Sequence, residues 1–239
     1  DERGAEPVAA GWAYCHDEGS GTPEADFYIH PEADPAVGPW MVGWIERRAS
    51  EITAVAGTVE PSVSVGNWST DRVRQGWLER AGWTKARTFY RMIADLEPGL
   101  AAPRPPTGAA LRGGATDEPT RRAVHQCVTE AFRDHWDSIE RDYDAWWARA
   151  EANAGYDPSL CWLVEIDGVP AASLVGTTQM AEDSTGWINY VSVRRDFRGQ
   201  GLAKLLLRIA FAEFAERGWK HAELAVDTES PTGALRLYE

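Results

Sequence analysis

The chain has 239 residues, of which 44% are hydrophobic and 26% are charged, and its formal net charge is −13. This composition is typical of a soluble globular protein with one or two domains, and no apolar run is long enough to predict a membrane span. The acidic balance argues against nucleic-acid binding, which requires a basic surface. Because Cys15, Cys127 and Cys161 are not spaced as pairs, we expect reduced thiols in a cytoplasmic protein and no metal site.

Short apolar segments alternate with longer amphipathic ones in the N-terminal part of the chain. Period-two and helical spacing of the apolar residues distinguish strands from helices there. The predicted elements are strands at 9–15, 25–31 and 63–65, a helix at 40–49, a helix followed by glycine and an aromatic residue within 67–83, and strand-like runs at 85–90 and 91–94.

Residues 97–108 contain four prolines and two glycines. Proline fixes φ and removes a backbone donor, so neither a helix nor a central strand is expected in this segment. The sequence therefore predicts two domains, 1–96 and 109–239, joined by a linker at 97–108.

The second predicted domain begins with a short strand and two helices. Asp117 is the predicted N-cap of the first helix, with Pro119 in its first turn. Asp167-Gly168 predicts a two-residue hairpin turn between two strands. The predicted elements are strands at 110–112, 160–166, 169–176, 188–193 and 222–226, and helices at 118–133, 143–154, 202–216 and in the C-terminal segment.

One stretch of this domain predicts an anion-binding site. The apolar strand at 188–193 leads into a loop that contains Gly199 and Gly201, and this loop opens the helix at 202–216. Glycines allow a tight turn in which several N–H groups point to one place, and the helix N-terminus adds partial positive charge. The spacing matches neither a Walker loop nor a dinucleotide-binding loop. We therefore expect a phosphate ligand of another kind.

The sequence Arg198-x-x-Gly201-x-Ala203 resembles the Q/R-x-x-G-x-G/A pyrophosphate loop of the GCN5-related N-acetyltransferases, the GNAT superfamily. The segment 227–239, which ends in Leu237-Tyr238-Glu239, resembles the second conserved block of that family. This resemblance implies an α/β (α+β) fold with a mixed, mostly antiparallel central sheet flanked by helices. It also implies an acetyl-CoA-dependent N-acetyltransferase that acts on a small-molecule amine by direct transfer in a ternary complex. The alternative is a non-catalytic acyl-CoA-binding or sensor module on the same fold.

The resemblance also implies roles for individual residues. Tyr238 is the expected acid for the departing thiolate, because its phenol has a pKa comparable to that of a thiol. No carboxylate is present at 187–189, so Asn189 is predicted to orient a water molecule, and Glu130, Asp134, His135 or Asp227 remain alternative bases. The predicted coenzyme-binding residues are Val191, Ser192, Val193, Arg198, Gly199, Gln200, Gly201, Leu202 and Ala203.

The acceptor site is expected between the first helices and the central strands of the second domain. Aromatic and charged residues are concentrated there, at 132–136 and 143–147. They would suit a cationic or hydrophobic amine through cation–π contact, although some of the tryptophans could simply fill a core. The negative net charge would also attract a cation. The predicted acceptor-binding residues are Asp134, His135, Trp136 and Tyr190.

The first domain can be interpreted as a faint copy of the second. Matching Ile29 with Val193 gives an offset of 193 − 29 = 164 residues, and matching Leu78 with Tyr238 gives 238 − 78 = 160, a nearly constant spacing. The copy has Asp34-Pro35 where the second domain has its glycine loop, so we expect no acyl-CoA binding in it.

This arrangement resembles the tandem-GNAT group that includes mycothiol synthase. It predicts two tandem GNAT folds, of which the N-terminal copy is incomplete and degenerate. By the same comparison we expect further chain before residue 1 and after residue 239. The predicted partner is a small-molecule amine, with neither nucleic acid nor membrane, and the predicted state is a monomer or homodimer.

Overall fold

The computed structural model describes residues 7–15, 23–57, 62–136, 138 and 140–230. The chain divides into two compact units, Asp1–Ala86 and Arg87–Glu239. The boundary therefore falls ahead of the segment 97–108, at which we predicted the linker.

The first unit contains a three-stranded sheet and two helices. Strand β2 pairs antiparallel with β1 and parallel with β3, and the long helix α1 connects the two parallel strands. Phe27 and Ile45 are buried in the core of this unit, together with Leu78 from the second helix. The elements are β1 (Ala9–Tyr14), β2 (Glu24–Ile29), α1 (Val37–Ala56), β3 (Ser64–Val65) and α2 (Arg72–Arg80).

The second unit contains a six-stranded mixed sheet with helices on both faces. The strand order is β4-β9-β8-β7-β6-β5, and every neighbouring pair is antiparallel except β8 and β9. The strands are β4 (Phe89–Asp95), β5 (Ala109–Gly113), β6 (Tyr156–Ile166), β7 (Val169–Thr177), β8 (Thr185–Val193) and β9 (His221–Asp227), and the helices are α3 (Glu118–Phe132), α4 (Tyr143–Ala152) and α5 (Leu202–Glu216).

The alternation of side chains along β6 explains the two layers of helices. Leu160 and Trp162 belong to the core that packs under α5, whereas Cys161 and Leu163 belong to the core under α3. Successive side chains of a strand point to opposite faces, so a continuous apolar run is buried on both sides. The fold is therefore a mixed, mostly antiparallel sheet between helices, as the family resemblance implied.

Two local predictions are confirmed at atomic detail. The Asp117 carboxylate accepts a hydrogen bond from the Thr120 N–H at 2.8 Å and so caps α3. Asp167 and Gly168 have φ values of 50° and 78° and connect β6 to β7, as expected for a two-residue hairpin.

Strand β4 differs from its prediction. In place of the two runs predicted at 85–90 and 91–94, residues 89–95 form a single strand, which pairs with β9 from Phe89↔Asp227 to Asp95↔His221. Met92 packs against the core under α5. The proline-rich residues 97–108 consequently connect β4 to β5 within the second unit, and this is why the unit boundary lies at Ala86.

The buried thiols lie in the second unit. Cys127 and Cys161 have no disulfide partner, and burial raises the pKa of each to about 12. Both are therefore unreactive protonated thiols near neutral pH. Within the described residues, no group of three His, Cys, Asp or Glu side chains could hold a metal ion, and no helix is long and apolar enough to cross a membrane.

Candidate functional site

A gap opens between the two parallel strands of the second unit. Residues Thr185 to Trp187 of β8 pair with His221 to Glu223 of β9, and the pairing stops there. Beyond Trp187 the two strands diverge, and the rest of β8, Ile188–Val193, pairs with β7 alone. One edge of β8 therefore faces an opening in the middle of the sheet.

The strand register determines which backbone groups face this gap. The Arg194 N–H donates to the Ala171 carbonyl on the β7 side at 2.9 Å. Backbone groups of an antiparallel strand alternate in direction, so the N–H groups of Val193 and Val191 point away from β7. The Arg198 Nε donates to the Val193 carbonyl at 3.3 Å from this open side. Val191 and Val193 therefore direct their N–H groups to the gap, where no strand of the described residues pairs with them.

The loop after β8 leaves the N-terminus of α5 open. Gly199 and Gly201 have φ values of 77° and 76°, in the left-handed region that glycine adopts without strain. Gly201 is the N-cap, no side chain of the described residues caps the helix, and no acidic residue lies in its first turn. The first N–H groups of a helix have no partner within it, and they carry partial positive charge. This terminus is consequently suited to an anion.

The start of helix α1 in the first unit is different. Its N-cap is Ala36, and the Asp34 carboxylate accepts a hydrogen bond from the Ala36 N–H at 2.8 Å. A negative charge of the chain itself therefore lies beside the start of α1, where it would repel an anionic ligand.

A cleft of about 380 Å³ joins the gap to the open helix terminus. It is lined by Ile188, Val191 and Val193 from β8, by Arg198, Gly199, Gly201, Leu202 and Ala203 from the loop and α5, and by residues 224–227 of β9. Most of the residues predicted to bind the coenzyme are thus brought together. Gln200 is exposed, and Ser192 is fully buried, and neither lines the cleft.

Sequence reasoning named only Asp227, as an alternative base, from the β9 wall of this cleft. Leu224 to Val226 have the pattern of an ordinary buried strand, and only the divergence from β8 brings them to the opening. No local sequence signal marks where two parallel strands separate, so the rest of this wall could not be predicted.

Two ion pairs hold the loop against α3. Arg194 donates to the Glu130 carboxylate at 2.7 Å and to the Pro170 carbonyl at 2.7 Å, and the Arg195 N–H donates to Glu130 at 3.1 Å. Arg195 also pairs with Asp134. Burial opposes ionisation of Glu130, but the hydrogen bonds from Arg194 and the Arg195 amide outweigh it, so the pKa of Glu130 is lowered. Glu130 is therefore a weak base.

A bulge in β8 separates the cleft from a second cavity. Val175 pairs with Tyr190 and Gly176 with Ile188, so Asn189 is an extra residue in β8. Asn189 and Tyr190 line a cavity of about 70 Å³, whereas Ile188 and Val191 line the larger cleft. The two cavities therefore lie on either side of residues 188–191.

The smaller cavity combines aromatic rings, guanidinium groups and hydroxyls. Trp146, Trp147 and Tyr156 contribute the rings, with Tyr190 from β8. Buried in its lining, the Tyr156 hydroxyl and Thr177 Oγ1 have no hydrogen-bond partner among the described residues. Arg121, Arg141 and Arg149 also line it.

The residues predicted to bind the acceptor are divided between the two cavities. Tyr190 lines the smaller cavity and contacts Phe132 edge to face, with ring centroids 5.5 Å apart. Asp134 and His135 line the larger cleft. Trp136 lines neither, and Arg87 lies over its ring at 5.6 Å.

The remaining predicted catalytic groups have separate outcomes. Asp227 lies in the wall of the larger cleft, is 3% exposed, and accepts the Glu229 N–H at 2.9 Å. Tyr238 lies outside the described residues, so its role stays a prediction.

The comparisons with known proteins agree with this geometry. Residues 121–239 match the model of the acetyltransferase (GNAT) family. The mycothiol acetyltransferase of Thermobispora bispora is 32% identical over 176 residues, which cover 66% of this chain and 54% of that protein. The chain spans about half the length of the first curated relatives it matches.

Two solved structures share the fold. A GCN5-related N-acetyltransferase from Sphaerobacter thermophilus has a TM-score of 0.80 at 26% identity, over 97% of this chain and 71% of that one. A tandem GNAT protein from the clavulanic acid biosynthesis pathway has a TM-score of 0.60 at 16% identity, over 98% and 80% of the two chains. The chain therefore belongs to the GNAT acetyltransferase superfamily and, within it, resembles the mycothiol acetyltransferases.

Proposed function

We propose that the protein is an N-acetyltransferase that uses acetyl-CoA as donor and a small-molecule amine as acceptor, by direct transfer in a ternary complex. One observation carries this proposal: the gap between β8 and β9 leads directly to an uncapped helix terminus. Such a cleft offers a phosphate cradle at one end and unpaired backbone donors in its middle. Acetyl-CoA, in which a long chain joins the thioester to a pyrophosphate, would use the phosphate cradle and the backbone donors together.

The residues present fit such a donor. The amides at the start of α5 would hold the pyrophosphate, with Arg198 beside them. The N–H groups of Val191 and Val193 would donate to the thioester carbonyl oxygen, on which negative charge develops during transfer. Because these donors are fixed by the sheet, they need not reorganise as the reaction proceeds.

The amine must be neutral to attack the thioester. Among the described residues that line the smaller cavity, none is a carboxylate or an imidazole. Nearby guanidinium groups favour the neutral form of an amine, since like charges disfavour the ammonium ion. We therefore propose that Asn189 orients the acceptor or a water molecule, and that Tyr238 protonates the departing thiolate.

We further propose that the first unit is a degenerate copy of the second that binds no acyl-CoA. Its β1-β2-α1-β3 order repeats the pattern of β7-β8-α5-β9, with an antiparallel pair followed by a helix and a parallel strand. The bond from Ala36 to Asp34 supports the loss of anion binding in that copy.

A pair of matched glycine variants tests the donor site. Gly201 and Gly218 lie near opposite ends of α5 with φ values of 76° and 80°, and an added Cβ meets nothing within 4 Å at either position. Each change to alanine therefore costs roughly 1 kcal/mol of backbone strain without a clash. We expect Gly201→Ala to raise the Kd for acetyl-CoA about tenfold, because the loop moves to relieve the strain, and Gly218→Ala to leave it unchanged.

Calorimetric titration with acetyl-CoA measures both dissociation constants, and thermal unfolding checks that the two variants lose similar stability. Release of the free thiol of CoA in the presence of an amine panel tests the transfer itself. Equal effects of the two variants on Kd, or no binding by the wild-type protein, would refute the donor site.

A further inference from the structure

We infer that the smaller cavity binds an anionic group, a carboxylate or a phosphate, so that the acceptor is an amine that also carries negative charge. This inference rests on the proposed function, because it assigns the acceptor of that same site. From the acidic composition and the clustered aromatic residues we expected a cationic or hydrophobic acceptor. The inference replaces that expectation with an acceptor that carries negative charge.

The first argument is the local charge. Arg121 and Arg149 line the cavity with Arg141, and no described residue of the lining is acidic. Arg149 is exposed and forms no ion pair among the described residues. This concentration of positive charge stands in a chain whose net charge is −13. Local charge decides recognition at contact distance, since exposed charges are screened beyond about 10 Å.

The second argument is that an internal cation already covers an aromatic ring of the cavity. The Arg121 guanidinium lies 4.4 Å from the centroid of the Trp147 ring, and both residues line the cavity. A cationic acceptor would have to displace this guanidinium from the ring. An anionic group instead meets a guanidinium whose plane is already fixed by stacking.

The third argument is the two hydroxyls without partners. Thr177 is 2% exposed, and both its Oγ1 and the Tyr156 hydroxyl are buried without a hydrogen bond among the described residues. A buried unpaired polar group costs about 1–3 kcal/mol, which a ligand recovers if it supplies the partner. Burial raises the pKa of Tyr156, so its hydroxyl stays protonated and can donate. Donors of this kind complement the oxygen atoms of an anion.

The size of the cavity limits what can enter. The cavity has a volume of about 70 Å³, against roughly 10–15 Å³ for one water molecule on the same measure. This is enough for one carboxylate or phosphate group and much less than the volume of the larger cleft, about 380 Å³. The cavity therefore holds one end of the acceptor, while Ile188, which directly precedes Asn189, lines the cleft in which the thioester is expected.

Matched pairs of amines test this inference. The probes are β-alanine against β-alaninamide and O-phosphoethanolamine against ethanolamine, each assayed with acetyl-CoA. We expect kcat/KM to be at least about tenfold higher for the anionic member of one pair, since a single hydrogen-bonded ion pair contributes that much. The pair that discriminates identifies the anion as carboxylate or phosphate.

Two variants and a control connect the preference to the cavity. Arg149→Gln removes an exposed charge, and Thr177→Val removes a buried hydroxyl with little change of shape. Each should lower the anionic-to-neutral ratio at least about threefold through a higher KM for the anionic member. Arg208→Gln, an exposed arginine on α5 outside both linings, should leave the ratio unchanged.

Binding of the anionic probe measured calorimetrically with CoA present gives a readout independent of turnover. We expect Arg149→Gln to weaken this binding while the affinity for CoA stays constant. A wild-type ratio of one or less, or a ratio that neither variant changes, would overturn the inference. If CoA binds but the anionic probes do not, this inference fails and the proposed function stands; if CoA itself does not bind, the proposed function fails.

Discussion

Glu130 illustrates how one residue can be assigned a chemical role or a structural role by its contacts. Its position near the predicted site made it a candidate base. In the structure its carboxylate instead receives Arg194 and the Arg195 amide. These bonds hold the short 3-10 helix at Arg195–Phe197, from which the glycine loop continues. The carboxylate therefore positions the loop rather than abstracting a proton.

We expect Glu130→Gln to destabilise the second unit by about 1–2 kcal/mol at neutral pH, because a partly buried charged hydrogen bond is lost. The folded-state pKa of Glu130 lies below its ordinary value of 4.5. The stabilising contribution is thus fully present above about pH 4.5 and is lost as the pH falls through the folded-state value. The difference in unfolding free energy between wild type and variant should shrink in acid.

Denaturant unfolding at a series of pH values measures this difference. The control is Glu118→Gln on the same helix, which removes an exposed pair with Arg122 and should change stability by no more than about 0.5 kcal/mol. A constant difference across the acid range would contradict the assignment.

The glycines of the loop could be predicted at residue scale because positive φ leaves a mark in the sequence. Gly199, Gly201 and the Asp167-Gly168 turn all have the residue types that such backbone requires. The Thr177 hydroxyl, which has no partner among the described residues, and the bulge at Asn189 could not be predicted. Both depend on how β7 and β8 are aligned, and the sequence of either strand alone does not show where that alignment shifts by one residue.

At the scale of elements, a glycine contact fixes helix α5 to strand β8, which lines the gap. A Cβ added to Gly186 on β8 would lie 2.2 Å from the Phe214 ring of α5, and Phe214 is fully buried. The ring can approach the strand closely only because this position has no side chain. The contact therefore sets the distance between α5 and β8.

Gly186→Ala should destabilise the second unit by about 1–3 kcal/mol through overpacking, and so lower its Tm by roughly 3–10 °C. The matched control is Gly113→Ala on β5, where the nearest atom to an added Cβ is 3.7 Å away and the change should be small. Thermal unfolding followed by circular dichroism measures both. Equal shifts for the two variants would show that the contact with Phe214 is not the cause.

Most elements of the second unit could be predicted because strong periodicity and capping signals mark them. The start of β6 at Tyr156 lies four residues ahead of its predicted start at 160, because Asp157 and Pro158 interrupt the apolar pattern. Strand β4 was predicted as a strand, but its partner was not, since edge pairing between distant segments has no local signature.

At the scale of the whole molecule, β4 extends the sheet of the second unit beyond the predicted linker. It covers one edge of β9 along seven residue pairs, and Arg91 pairs with the buried carboxylate of Glu223. Residues 87–96 therefore belong to the same folding unit as the candidate site.

A fragment of residues 87–239 should consequently fold and bind acetyl-CoA with the affinity of the full chain. A fragment of residues 97–239, which begins at the predicted linker, should have a lower Tm and aggregate more readily, because the edge of β9 and the charge of Glu223 are left uncovered. Thermal unfolding and light scattering compare the two. Equal stability would mean that β4 contributes nothing to this unit.

The divergence of β8 from β9 leaves one edge of Ile188–Val193 without a strand partner among the described residues. Three residue pairs connect the two halves of the sheet where β8 and β9 meet. An extended molecule with amide groups along its length would supply the missing rungs. Binding of the proposed donor along this edge would then stabilise the second unit against unfolding.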